Sequence, residues 1–176
     1  LFRSSAASDV YKRQVIFMPA GPMSSGLPNE EKANVRKAFA KGEVSREELI
    51  KAESKAYHGE GTCTFYGTAN SNQIIMEIMG VHIPGAAFVH PNSDLRHAYN
   101  VLAVEQAVKI NSKGRDVRPI GKIIDERSFV NAIIGLLATG GSTNHTLHLP
   151  AMAAAAGIKL LWEDFDDLSK IVPLLS

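Results

Sequence analysis

Apolar residues in this chain come in short runs separated by glycine, proline and polar clusters, and their spacing changes along the sequence. Val15-Ile-Phe-Met18 is an unbroken apolar run ended by Pro19-Ala-Gly-Pro22, the pattern of a short buried strand. A loop rich in Gly, Ser and Pro follows to Pro28. Asn29 can then cap a helix whose first turn carries Glu30 and Glu31, carboxylates suited to the positive end of the helix dipole, and Gly42 stops it. Ser45-Arg-Glu-Glu48 has the form of a capping box and starts a second helix reaching about Tyr57. Both helices are polar on most faces, which predicts an exposed hairpin.

Downstream the apolar content rises. Ile74, Ile75, Ile78 and Met79 form the stripe of a helix from about Ser71 to Met79, closed by Gly80. Ala86-Ala-Phe-Val89 reads as a strand. Ser93 caps a helix over 94–110, with Leu95, Leu102 and Val108 among its apolar positions, and residues 111–116 form a loop. Asp125 caps a strongly apolar helix to Ala138, which must be buried on most sides. Gly140-Gly141 breaks it, and Ser142 caps a further helix to about Ala156. Ile158 to Trp162 reads as a strand and Glu163 to Lys170 as a last helix. Strands alternating with helices predict an α/β fold, a layered α/β/α domain present in part.

Composition narrows the function. With 176 residues, 45% of them hydrophobic, the chain can fill a domain with a core. A net charge of +1 and a charged fraction of 21% give no electrostatic footprint for nucleic acid. No apolar run approaches the length of a membrane span. The single cysteine, Cys63, excludes an internal disulfide framework and fits a reducing cytoplasm. The first fourteen residues show neither helical nor strand periodicity, and no apolar stretch of signal-peptide type. They resemble a translated sequencing adapter. Residues 1–14 are therefore set aside as non-native, and 15–176 are taken as part of one domain.

Two loops carry candidate chemistry. Gly61-Thr-Cys-Thr-Phe-Tyr-Gly-Thr-Ala-Asn70 sets Cys63 between glycines that allow close approach of backbone to a bound group. A lone thiol serves as buried filler, as a nucleophile, or as one ligand of a set completed elsewhere, and the residues alone leave all three open. As a nucleophile Cys63 would need a base, for which His58 is the nearest candidate in sequence. Gly140-Gly-Ser-Thr-Asn-His145 is a glycine turn running into a helix start. Its free N–H groups and the side chains of Ser142, Thr143 and Asn144 suit a carboxylate or phosphate, although an ordinary helix break reads the same way. No lysine follows the glycines as a phosphate-binding P-loop requires. His82, His90, His97, His145 and His148 show no ligand spacing, and His145 and His148 read as a structural pair on one helix face. Glu163, Asp164, Asp166 and Asp167 read as a solvated helix start.

In this order, the two loops together with Pro19-Ala-Gly-Pro-Met-Ser-Ser-Gly-Leu-Pro28, Pro84-Gly-Ala-Ala-Phe-Val-His-Pro91 and Leu137-Ala-Thr-Gly-Gly-Ser-Thr-Asn-His-Thr-Leu-His-Leu149 resemble the dihydroxy-acid and sugar-acid dehydratase family. The resemblance covers nearly all of residues 15–176. Thr62-Cys-Thr-Phe-Tyr66 and Asn144-His145 are similar to the branch acting on 6-phosphogluconate. Relatives acting on branched-chain dihydroxy acids or unphosphorylated sugar acids are the alternative, and these usually place a glycine-containing stretch after the cysteine.

The resemblance implies a hydro-lyase that converts 6-phosphogluconate to 2-dehydro-3-deoxy-6-phosphogluconate in the Entner–Doudoroff route. An iron–sulfur cluster, expected to be 4Fe-4S, would act as Lewis acid on the leaving C3 hydroxyl while a base takes the C2 proton. Cys63 matches a cluster ligand of the family. The remaining cluster cysteines, the acidic ligands of a divalent metal such as Mg and the catalytic base are all expected outside this chain. It is thus read as an internal piece, inactive alone, of a cytoplasmic homodimer with no nucleic-acid or membrane partner. The turn chemistry, and not the family, makes Ser142, Thr143 and Asn144 the candidates for an anionic substrate group. Lys122, Arg115 and Arg118 are candidates for the phosphate. From other classes, a cluster-free anion-binding module on the Gly140 turn and a thiol hydrolase built on Cys63 and His58 stay open.

Overall fold

Three helix starts among the described residues are set by short-range side-chain capping. A computed structural model describes residues 12–56 and 59–175, and the helices among them are α1 (Asn29–Ala40), α2 (Arg46–Ser54), α3 (Thr68–Ile78), α4 (Asp94–Ile110), α5 (Ile120–Ile123), α6 (Glu126–Ala138), α7 (His145–Ala155) and α8 (Trp162–Ser169). Residues 1–11 and His58, named above, lie outside the described residues. The Ser45–Glu48 capping box forms as expected at α2, with both reciprocal bonds present. Asp125 caps α6 by accepting from Ser128 N–H, and Ser93 caps α4 by accepting from Arg96 N–H. At α1 the expected cap moves by one position. Asn29 is the first helical residue, and Pro28 before it supplies the extended entry. α1 buries no residue and α2 buries only Ala52, so the pair is the exposed hairpin its polar faces predict, tied by Arg36 to Glu53 at 3.1 Å.

Three expected strands do not form as such. Phe17 makes one isolated parallel bridge with His82, its N–H bonded to Val81 O at 2.9 Å. Ala86 to Val89 is turned rather than extended, because Pro84-Gly85 reverses the chain and the Arg96 guanidinium gathers both Ala86 O (2.7 Å) and Val89 O (2.6 Å). Ile158 to Leu161 finds no ladder partner among the described residues, and Trp162 already belongs to α8. A second isolated parallel bridge joins Pro22 and Thr62. The described part is accordingly rich in helix, its extended segments paired only at single points.

The main core lies where α3, α6, α7 and α8 meet. Ile75, Met76 and Met79 pack with Phe129, Ala132, Ile133 and Leu136, closed by Leu149, Ala153 and Phe165. Burying each of the larger side chains contributes roughly 1.5–3 kcal/mol. α3 and α6 approach closely at Gly135, where a Cβ would come 2.5 Å from Ile78 Cδ1. Val130 and Ile134 on the far face of α6 stay exposed, so that helix is buried on one side and not on most. A smaller core joins Ile83, Ala86 and Ala103 with Ile16, Met18 and Tyr99. α4 buries only Arg96, Ala103 and Ile110, a narrow stripe, and leaves Leu95, Leu102 and Val108 exposed.

Two further details bear on the loops. α7 begins at His145, not at Ser142, because Gly140 (φ +59°) and the turn 142–144 hold the chain outside the helix. Pro150 inside α7 cannot donate to Thr146 O, and the indole Nε1 of Trp162 donates to that carbonyl instead at 3.0 Å.

Candidate functional site

The two loops singled out in the sequence meet at the N-terminal end of α3. Ser71, fully buried, donates to Gly67 O at 2.9 Å and lies 3.0 Å from His145 Nε2. Ser142 N–H in turn donates to Ser71 Oγ at 3.2 Å. Thr68 Oγ1 lies 2.8 Å from Ser142 Oγ and accepts from Asn144 Nδ2 at 2.8 Å, and Tyr66 OH donates to Thr139 Oγ1 at 2.6 Å. Gly141 must lack a side chain here, since a Cβ would sit 2.6 Å from Leu136 Cδ1 and 3.1 Å from Ser71 Cβ. Hydroxyls, one side-chain amide, the His145 imidazole and the Ser142 N–H therefore clamp residues 66–71 to residues 139–145 across more than seventy positions of sequence.

Within the Gly140 turn most donors are engaged. Ser142 N–H goes to Ser71, Asn144 N–H to Ser142 Oγ, His145 N–H to Ser142 O and Thr146 N–H to Thr143 O. Thr143 is exposed, and its N–H and hydroxyl donate to no acceptor among the described residues. His145 is 1% exposed, and burial, with a smaller contribution from His148, holds its pKa below the ordinary imidazole value. The His145 and His148 rings meet edge-on at 5.7 Å, the structural pair the sequence suggested.

The cysteine loop is fixed from the opposite side. Gly61 sits at φ +122°, where a Cβ would meet Gly21 O and Met23 N at 2.7 Å, so two backbone segments pass in close contact. Thr62 N–H donates to Gly21 O (2.8 Å), and Met23 N–H to Thr62 O (2.9 Å). Gly21 N–H donates to Gln73 Oε1 at 2.9 Å. The Cys63 thiol is exposed and borders a cavity of about 250 Å³ lined also by Met23, Ser25, Lys32, Thr64 and Phe65.

An exposed thiol on a glycine-flanked loop, facing an open cavity, fits one ligand position of an iron–sulfur cluster. It does not fit buried filler. Among the described residues no three His, Cys, Asp or Glu side chains gather to hold a metal, so the other ligands of such a group would come from elsewhere. Of the cations proposed for a phosphate, Arg118 is paired with Asp116, while Arg115 and Lys122 are exposed. None of the three borders the Cys63 cavity. Lys32 does, and sequence reasoning missed it because one lysine in a charged helix carries no local signal. Asp164 accepts from Leu161 N–H and Asp166 and Asp167 pair with Lys170, as a solvated helix start should. No helix of the described residues is long and apolar enough to cross a membrane.

The chain belongs to the dihydroxy-acid/6-phosphogluconate dehydratase N-terminal family, whose profile matches residues 5–176. It is 61% identical over 161 residues to the phosphogluconate dehydratase of Rhizobium meliloti (strain 1021), covering 92% of this chain and 27% of that protein. The corresponding values for the phosphogluconate dehydratase of Escherichia coli (strain K12) are 55%, 92% and 27%. A dihydroxy-acid dehydratase of Methanococcoides burtonii is 36% identical over 91% of this chain and 30% of its own length. The chain thus spans about a quarter to a third of the curated relatives it matches. The family match begins inside the stretch set aside as non-native, and Arg13 O in that stretch accepts from Ile120 N–H at 2.8 Å.

Proposed function

We propose that residues 15–176 form part of the N-terminal domain of a dehydratase that converts 6-phosphogluconate to 2-dehydro-3-deoxy-6-phosphogluconate, the Entner–Doudoroff dehydration. The observation that carries this reading is the 53–61% identity to phosphogluconate dehydratases, against 36% to a dihydroxy-acid dehydratase. The enzyme is read as a cytoplasmic homodimer with a phosphorylated sugar acid as its small-molecule partner.

Cys63 is read as a ligand of an iron–sulfur cluster, taken as 4Fe-4S, and its exposed thiol beside the cavity supports this. When bound, the cluster supplies a Lewis acid for the leaving hydroxyl. A divalent metal such as Mg would take its ligands outside this chain. The chain's own contribution is placement. The Gly140 turn is read as the seat of an anionic substrate group, with Thr143 offering free donors while Ser142 and Asn144 brace the turn against Thr68. His145, kept neutral by burial, bonds Ser71 and holds the turn against α3 without adding charge.

The test is anaerobic turnover by the full-length parent protein on 6-phosphogluconate and on dihydroxyisovalerate. Higher kcat/KM on the phosphorylated acid is expected. Preferential turnover of dihydroxyisovalerate would move the protein to the other branch of the family.

A further inference from the structure

We infer that Asn70 is the positioning residue for Cys63, an inference that rests on the reading of Cys63 as a cluster ligand. Asn70 lies in the first turn of α3 and is 3% exposed. Its Nδ2 donates to two carbonyls of the cysteine loop, Cys63 O at 2.5 Å and Phe65 O at 2.7 Å. Its Oδ1 faces two donors, Thr62 Oγ1 at 2.5 Å and Gln73 Nε2 at 3.1 Å. All four hydrogen-bonding positions of the carboxamide are therefore filled, and they fix its orientation. Reversing it would set Oδ1 against two carbonyl oxygens and Nδ2 against the Gln73 amide protons.

The consequence falls on the thiol. Peptide carbonyls at 63 and 65 are drawn inward to one buried amide while the Cys63 side chain is left exposed at the cavity. The anchor is itself anchored, since Gln73 also accepts from Gly21 N–H at 2.9 Å on the segment that crosses beneath Gly61. A short relay of Gly21, Gln73 and Asn70 thus fixes the backbone on which the ligand sulfur stands. A metal ligand held this way has its direction set before the metal arrives, as supporting hydrogen bonds commonly arrange.

The isosteric Asn70→Asp separates positioning from packing, because it keeps volume and removes the two donations. Thr62→Val is the second variant: it leaves both Asn70 donations in place and removes the hydroxyl that meets Asn70 Oδ1, Gly21 O and Gln73 Nε2. Both are made in the full-length parent, purified anaerobically, with Ile133→Val in the main core, away from the Asn70 hydrogen bonds, as a stability control. The readouts are the cluster's absorption and EPR spectra and the rate of iron release to a chelator. Asn70→Asp is expected to change the spectrum and release iron about tenfold faster or more. Thr62→Val should shift both in the same direction by less, and Ile133→Val should leave both unchanged. Wild-type spectra and release rates in Asn70→Asp would overturn the positioning role alone, as would equal iron loss from the core control. A wild-type protein that purifies without iron would overturn the cluster reading, and this inference with it.

Discussion

At the scale of single residues, backbone conformation and crowding can be separated, because two glycines share a conformation but not an environment. Gly21 (φ +79°) and Gly42 (φ +76°) both lie in the left-handed region. A Cβ at Gly42 would meet nothing within 4 Å, whereas at Gly21 it would come 1.8 Å from Val89 O. Gly42→Ala should therefore cost only the conformational penalty, about 1–2 kcal/mol. Gly21→Ala must also displace backbone and should exceed that, beyond ~3 kcal/mol. Urea denaturation of the two variants measures the difference, and equal losses would refute the crowding argument. Residues of this kind were only half legible. Glycines in the cysteine loop announced a close approach, but nothing local says that Gly61 passes Gly21. Asn70 was missed altogether, because a polar residue just before an expected helix looks like an ordinary entry. Its signal was the polar trio Asn70, Ser71 and Gln73 beside an apolar stripe, which helical spacing carries partly into the interior.

At the scale of elements, the caps at Ser45, Ser93 and Asp125 were legible, those expected at Asn29 and Ser142 were misplaced, and strand pairing was not legible. Ser45, Ser93 and Asp125 act within three residues of themselves, so their signals are complete in sequence. Strand formation depends on a partner elsewhere. The run Ala86–Val89 has strand-like residues, yet its carbonyls turn inward to Arg96, a choice no periodicity records. The same contrast orders the dynamics. α1 buries nothing and α2 one residue, while α6 buries Phe129, Ala132, Ile133 and Leu136 in the main core. Amides of α1 and α2 should exchange with solvent through local opening, well before those of α6, which open only with the core. Hydrogen-exchange mass spectrometry on the chain gives the order directly. Protection of α1 equal to that of α6 would mean that the hairpin is held by contacts its polar faces do not suggest.

At the scale of the whole molecule, acid sensitivity is expected from the two imidazoles buried among the described residues, one in each core. His145 sits between α3 and α7. His82, 7% exposed, pairs with Phe17 at the edge of the smaller core. Burial depresses both pKa values below the ordinary 6.5; His148 adds to this at His145, while at His82 Glu77 opposes it and Arg96 reinforces it. The unfolded chain therefore takes up protons first as the pH falls. Stability rises with pH wherever the unfolded state binds more protons, so the contribution of these groups is full above 6.5. It is lost progressively as the pH drops from there through the depressed folded values. The lowered carboxylates Glu60, Asp116 and Asp125 act in a separate window, below their ordinary 4.5 and 3.8. A urea midpoint followed from about pH 7.5 to pH 5.5 isolates the histidines from the carboxylates. It should fall across that range, and His145→Gln, which keeps a hydrogen-bonding group near Ser71 and cannot be protonated, should fall less steeply. If His145→Gln reproduced the wild-type slope, His145 would not be among the groups that couple this fold to acid, and His82 would be the next to replace.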